Sequence, residues 1–188
     1  MNSITLETAR LVLRPWQASD LVPFAEMNAD PQVMRYFPMT LSTAESDALV
    51  ARAEDKAKRD GVCFQPVALK ETGEFLGFVG LSNPAYNPAL PFMPCMEVGW
   101  RLKHSAWGHG YATEAARAWI GFGFETLALE EIVSFTARLN LPSRRVMERC
   151  GMSCDAVDDF RMPGLDHTHP LSAHVLYRLR RAECPTVL

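Results

Sequence analysis

Residues 107–115 read Trp-Gly-His-Gly-Tyr-Ala-Thr-Glu-Ala, WGHGYATEA. Two glycines, Gly108 and Gly110, stand one residue apart at the mouth of a helical pattern running from Thr113 to about Glu125. Ala112, Ala115, Ala116, Trp119, Ile120 and Gly123 recur at helical spacing and make one face. The first amides of a helix lack intrahelical acceptors and carry the positive end of its dipole, so they attract anions. Glycine admits close approach to the backbone and unusual dihedrals. The spacing therefore fits an anion cradle. It fits equally a tight turn with no ligand. A P-loop is excluded, because no Gly-Lys-Ser/Thr follows. A dinucleotide fingerprint is excluded too: Thr113 stands where its third glycine belongs, and the next strand ends near Ala137-Arg138 without an acidic residue.

Working outward, Met96–Leu102 and Glu131–Ala137 read as strands on either side of this helix. Strand, helix, parallel strand predicts a right-handed crossover. Upstream, Thr8–Arg14 reads as a strand closed by Pro15. Ser19 or Asp20 can cap a helix carrying Leu21, Phe24, Ala25 and Asn28. Thr40–Asp60 is a second helical region ended by Gly61. Val62–Leu69 and Phe75–Leu81 flank the turn Glu71-Thr72-Gly73-Glu74. Residues 82–95, SNPAYNPALPFMPC, make a long irregular loop of the kind that is usually functional or mobile. Pro142–Cys150 is a helix stopped at Gly151, and Met152–Phe160 and Ser172–Arg180 supply two last strands. The pattern predicts one mixed α/β domain over 1–188.

Composition narrows the class. Of 188 residues, 48% are hydrophobic and 22% charged, which suits a globular protein. The net charge of -3 gives no global pull towards nucleic acid. No stretch approaches a membrane span, and the N-terminal residues lack the apolar run of a signal peptide, so a cytoplasmic protein is expected. Cys63, Cys95, Cys150, Cys154 and Cys184 form no CxxC pair, so reduced, mostly buried thiols are expected. Asp166-His167-Thr168-His169 lacks a second ligand group, and no metal is expected.

Several segments together resemble the GNAT superfamily, the acyl-CoA-dependent N-acyltransferases. The pyrophosphate signature Gln/Arg-x-x-Gly-x-Gly/Ala falls on Trp107, Gly108, His109, Gly110, Tyr111 and Ala112. Trp107 replaces the usual Gln/Arg, as in the branch that includes the ribosomal-protein N-terminal acetyltransferases (the RimJ/RimL type). Residues 140–152, NLPSRRVMERCGM, look like that branch's NxxSxxVxxxxGF, and TARLVLRPWQASD and MEVGWRL match as well. The resemblance covers essentially the whole chain. It implies the GNAT fold: a mixed, mostly antiparallel twisted sheet of about seven strands with helices on both faces and a splayed central parallel pair.

The resemblance also implies how the parts work. The pantetheine arm of acetyl-CoA would lie between Met96–Leu102 and Glu131–Ala137 and pair with backbone at Trp100, Arg101 and Leu102. The Arg101 amide is the favoured donor to the thioester carbonyl and its developing oxyanion. Amides of Gly108, His109, Gly110, Tyr111, Ala112 and Thr113 would hold the pyrophosphate beside Trp107. Asn140 would bond the pantetheine amides, with Ser143 near the sulfur. The acceptor would be a primary amine, either a protein N-terminus or a small amine such as a polyamine, amino acid or aminoglycoside. A monomer or homodimer would serve.

Proton transfer depends on that amine. Freeing a lysine ammonium at pH 7 costs about 4–5 kcal/mol, and an α-amine only about 1 kcal/mol. Glu97, ten residues before Trp107, is the candidate base, as in histone-modifying members of the superfamily. The competing reading is a solvent-facing or ion-paired Glu. Many members carry a Tyr acid seven residues after the motif Asn, but Met147 stands there. Ser143 is the named replacement, and capping the helix near Pro142 is its competing role. Trp16, Tyr86, Phe92 and Met93, and also Phe160, His167 and His174, are candidates for shaping the acceptor pocket. The missing Tyr motivates a second hypothesis, a non-catalytic acyl-CoA-binding module.

Overall fold

The computed structural model describes residues 4–184. Its first two strands, β1 (Leu6–Glu7) and β2 (Leu11–Leu13), fold back antiparallel on each other. The strand expected over Thr8–Arg14 is therefore split. The Thr8 N–H donates to the Leu11 carbonyl at 3.0 Å, and Thr8 Oγ1 accepts from the Leu11 N–H at 3.0 Å, which closes a turn. Asp20 then takes a paired salt bridge from Arg14 at 2.7 and 2.9 Å.

Three helices follow: α1 (Leu21–Ala29), α2 (Pro31–Met34) and α3 (Thr43–Asp60). The sequence reading missed α2, although its signal is present. Asp30 caps the Gln32 N–H at 2.8 Å and Pro31 opens the first turn. A Ser42/Glu45 capping box starts α3 later than the expected Thr40, and left-handed Gly61 (φ +82°) ends it.

The remaining elements are β3 (Gln65–Leu69), β4 (Phe75–Ser82), β5 (Glu97–Leu102), α4 (Tyr111–Glu125), β6 (Glu131–Ala137), α5 (Leu141–Arg149), β7 (Ser153–Cys154), β8 (Phe160–Arg161) and β9 (Ala173–Arg180). They complete a nine-stranded sheet in the order β1-β2-β3-β4-β5-β6-β9-β7, with β8 also on β9. All pairs are antiparallel except β5–β6. The two strands beyond the expected seven are short ones, from the split at Thr8 and from Met152–Phe160, which breaks into β7 and β8 around a 3-10 turn.

One face of the sheet packs on α4. Leu11, Leu13, Val79, Leu81 and Val98 meet Ala115, Ala116, Trp119 and Ile120 in the main core. The small residues of α4 permit a close approach: a Cβ on Gly123 would lie 2.8 Å from Ile132 Cδ1. The other face carries a second core, in which Phe24, Met27, Val33 and Val50 pack around Phe75. No disulfide joins the cysteines of the described residues. Cys63 and Cys150 are buried, but Cys154 is exposed, so the thiols are less uniformly buried than expected. No helix among the described residues is long and apolar enough to cross a membrane.

Candidate active site

The parallel pair is barely a pair. β5 matches β4 along all six residues from Glu97 to Leu102, and β6 matches β9 from Glu131 to Ala137. Between β5 and β6 only Glu97 and Val133 are in register, with the Val133 N–H donating to the Met96 carbonyl at 2.9 Å. Beyond that point the strands splay, and a cleft of about 850 Å³ opens between them.

Peptide groups alternate in direction along a strand, which decides what faces the gap. The Lys103 N–H donates to the Leu76 carbonyl, so Arg101, Gly99 and Glu97 turn their backbone groups towards β4. The Met96 carbonyl points towards β6, so Val98, Trp100 and Leu102 face the gap. This corrects the expectation for Arg101: its amide belongs to the β4 ladder, and the amide of Trp100 or Leu102 is the one available to a ligand. The Leu102 carbonyl is taken by Trp107, whose Nε1 donates to it at 2.9 Å. That bond gives Trp107 a local task, which is to tie the glycine loop to the end of β5.

At that end the chain turns through Gly108 and Gly110, both at φ +81°. A Cβ at Gly108 would meet nothing within 4 Å, so its backbone conformation, not crowding, selects glycine there. The helix begins at Tyr111, not Thr113, because the Glu114 N–H bonds the Gly110 carbonyl at 3.0 Å. No side chain caps it. The amides of Tyr111, Ala112 and Thr113 precede the first helical hydrogen bond and stand at the cleft. His109 does not line the cleft; its ring stacks on Tyr111 at 5.4 Å.

Arg10 braces this helix start. Its N–H, Nε and Nη2 reach the Glu114 carboxylate at 2.9, 2.8 and 2.6 Å, and Thr8 Oγ1 adds a bond of 2.6 Å. The guanidinium also lies over the Tyr111 ring at 4.6 Å. Burial works against a charged Glu114, but these hydrogen bonds outweigh it and hold its pKa below the ordinary value. The brace joins two segments distant in sequence, TARLVLR and ATEA, through Thr8, Arg10 and Glu114.

Side chains alternate opposite to the main core. Glu97, Gly99 and Arg101 share the face turned away from α4. A Cβ on Gly99 would lie 3.0 Å from the Phe64 ring and 3.3 Å from Glu97 Oε1, so glycine there leaves room for both. Glu97 is half-buried and lines the cleft, and desolvation of its carboxyl raises its pKa to about 8. It forms no ion pair among the described residues, so the ion-paired alternative to a catalytic role finds no partner there. Arg101 is half-buried in the same way, and burial lowers it to about 10.

The helix α5 supplies the opposite wall. Asn140 is its cap: Oδ1 accepts from the Ser143 N–H at 3.3 Å and Nδ2 donates to Thr136 Oγ1 at 2.9 Å. Capping is thus Asn140's work, not Ser143's, and Asn140's amide is already engaged before any ligand arrives. The Ser143 hydroxyl lines the cleft without a hydrogen-bond partner among the described residues. Met147 is buried in the main core. Of the residues named for the acceptor pocket, Tyr86 and His174 line the cleft. Trp16 lies in the second core, its Nε1 bonded to the Phe64 carbonyl at 3.1 Å, and Phe92, Met93, Phe160 and His167 are off the cleft. Sequence reading missed the Arg35–Pro38 wall, because nothing in its spacing marks it.

A splayed parallel pair closed by a left-handed glycine loop and an uncapped helix end forms a cleft suited to an extended anionic ligand. The chain belongs to the GNAT acetyltransferases: the family described as acetyltransferase (GNAT) domain matches residues 10–153. It is similar to the FsC-acetyl coenzyme A-N(2)-transacetylase of Aspergillus fumigatus, with 31% identity covering 79% of this chain and 65% of that protein. The chain thus spans somewhat less than two thirds of that relative. Among solved structures, an acetyltransferase from Agrobacterium tumefaciens is 28% identical with a TM-score of 0.76, covering 96% of each chain. RimJ of Mycobacterium smegmatis, solved with CoA-disulfide, shares the fold at 19% identity and a TM-score of 0.75, covering 97% of this chain and 88% of that one.

Proposed function

We propose that this protein is an acetyl-CoA-dependent N-acetyltransferase that moves an acetyl group to a primary amine by direct attack within a ternary complex. The observation that carries the reading is Glu97. It is a carboxyl at the apex where the two strands part, with no hydrogen-bond donor among the described residues and its pKa raised to about 8 by burial. A base with that affinity for protons is matched to an ammonium group near neutral pH.

Acetyl-CoA would supply the activated acetyl group. The amides of Tyr111, Ala112 and Thr113 fit its pyrophosphate, since they are free donors at the positive end of α4. The gap-facing amides of Trp100 and Leu102 fit the pantetheine arm, and the Trp100 N–H is the donor assigned to the thioester oxygen. Glu97 takes the proton from the acceptor amine, directly or through one water. Ser143 is the hydroxyl nearest in role to a proton donor for the departing thiol, whose pKa near about 8.5 requires modest help. The name of the fungal relative and the CoA-disulfide bound to the RimJ neighbour support the choice of donor.

Thiol release from acetyl-CoA across a broad set of amines, wild type beside Glu97→Gln, tests the reading. Turnover that collapses in the variant is expected. Tight coenzyme binding with no turnover on any amine would instead make the protein an acyl-CoA-binding module. The engaged amide of Asn140 and the buried Met147 would then be marks of lost chemistry.

A further inference from the structure

We infer that the acceptor is a small amine that also carries a carboxylate, and that the Arg101 side chain is the group that selects it. The inference deepens the acetyl-transfer reading and rests on it for the identity of the occupant as acceptor.

Arg101 projects from β5 on the same face as Glu97, four residues and about 13 Å along the strand. It lines the cleft, and no carboxylate pairs with it. A guanidinium has five N–H donors. Here Nη1 donates to Asn28 Oδ1 at 2.6 Å, while Nε is buried without any acceptor. Burying a charge without a counter-charge is costly, and an anion held at the remaining nitrogen, Nη2, would offset that cost.

The guanidinium is also aimed. Asn28 is fully buried, and its Nδ2 donates to buried Ser46 at 3.1 Å, which fixes Oδ1 towards Arg101. The Phe37 ring stacks on the guanidinium at 4.1 Å and Phe78 lies at 5.5 Å. Asn28 also accepts the Leu41 N–H at 3.0 Å, which anchors the segment bearing Phe37. The planar face of the guanidinium is covered by rings, and Nη2, bonded to no acceptor among the described residues, is the donor left for an anion.

The charge around the cleft agrees. Its lining holds Arg35, Arg101, Arg145 and Arg149 against the single carboxyl of Glu97. Arg145 and Arg149 lie on α5, beside the start of α4, and suit the coenzyme's phosphates. The Arg101 side chain lies on the other face of β5 from α4, against Phe37 and Phe78. Acceptors with several positive charges, such as polyamines and aminoglycosides, meet like charge here. An amine with an apolar body and one carboxylate meets a base for its ammonium and a guanidinium for its anion.

The test compares matched pairs. Acetylation rates are measured for α- and ω-amino acids of increasing length beside their primary amides, and for diamines. Wild type should favour at least one carboxylate over its amide by about tenfold or more in kcat/KM, and over every diamine. In Arg101→Gln that ratio should fall towards one, and Arg101→Lys should keep part of it. A wild-type preference for amides or diamines overturns the inference, whatever the variants do. A second readout needs no turnover. With CoA present, 3-phenylpropionate should raise the wild-type Tm and 3-phenylpropionamide should not, with the difference lost in Arg101→Gln. Equal shifts for the two probes overturn the inference even if acetylation is found. An Arg101-dependent shift with no amine acetylated overturns the transferase reading and leaves carboxylate recognition standing.

Discussion

At the α4 end of the cleft the working groups are backbone: the amides of Tyr111–Thr113, set by two glycines at φ +81° and braced by Arg10. At the β5 face they are side chains: Glu97 and Arg101, flanked by the aromatic rings of Phe64 before β3, Phe78 of β4 and Phe37 after α2. A backbone cradle binds a ligand whose charge is constant, and many sequences can make it. A side-chain site assembled from four separate segments can change its ligand by changing one residue. The first end should govern coenzyme affinity and the second should govern turnover and choice of acceptor. Each prediction below strikes one end and asks whether the other notices.

The largest effect is expected from Glu97→Gln. Loss of a general base lowers kcat/KM by about 10²–10⁴-fold. Coenzyme affinity, measured by calorimetry, should stay within experimental error, because the glutamine keeps the shape of the strand face. A comparable loss of CoA binding would break the division between the two ends.

The pH dependence sharpens the same point. The basic form of Glu97 is the carboxylate, and burial raises its pKa to about 8. The ratio of wild-type to Glu97→Gln activity should therefore climb as pH rises through about 8 and then level off. Stability should move the other way. Between the ordinary 4.5 and about 8 the folded protein keeps a proton that the unfolded chain has lost, so stability declines as pH rises. Glu97→Gln should flatten that decline in urea titrations across the window. A wild-type stability that rises over the same interval would mean that Glu97 is ionised in the fold.

Coenzyme affinity is the readout for Gly110→Ala. Forcing a left-handed alanine costs about 1–2 kcal/mol, and release of that strain by reshaping the loop should weaken CoA binding about 5–30-fold. Gly61→Ala is the control. Gly61 has the same hand, φ +82°, with nothing within 4 Å of a Cβ, and it lies at the end of α3. It should lose similar stability and no coenzyme affinity. Equal CoA affinity in the two variants would show that the loop's shape is not what holds the ligand.

The contrast between the two ends also explains what the sequence could reveal. The glycine loop was legible because its requirement is local: positive φ at 108 and 110, then free amides, all within a few residues. The β5 and β6 strands, α4 and the splayed pair followed from periodicity and resemblance. Arg101 was noted for its backbone, and its side chain was missed. Burial of a cation depends on Asn28, Phe37 and Phe78, which no spacing rule connects to residue 101. The amide assignment failed for a related reason. Which of two adjacent peptides faces the gap depends on ladder phase with β4, and a register shift of one residue reverses it. For Asn140 the resemblance implies a bond to the pantetheine amides, whereas its position one residue before a Leu-Pro helix start makes it the cap.

The smallest effect tests whether the cradle needs its brace. Glu114→Gln keeps the shape and removes the charge that gathers Thr8 and Arg10. Arg10 is half exposed, so screening limits the pair, and the loss should be about 1 kcal/mol, or about 2–4 °C in Tm. Because hydrogen bonds hold Glu114 below its ordinary pKa of 4.5, its contribution is present above that value and lost as pH falls. Wild type and Glu114→Gln should therefore converge in stability on acidification and differ at neutral pH. CoA affinity should fall in step, since Arg10 lies over Tyr111 at the first turn that supplies the free amides. Acceptor preference should not move. A change in the carboxylate-to-amide ratio in Glu114→Gln would couple the two ends through α4, and backbone and side-chain sites would then act as one.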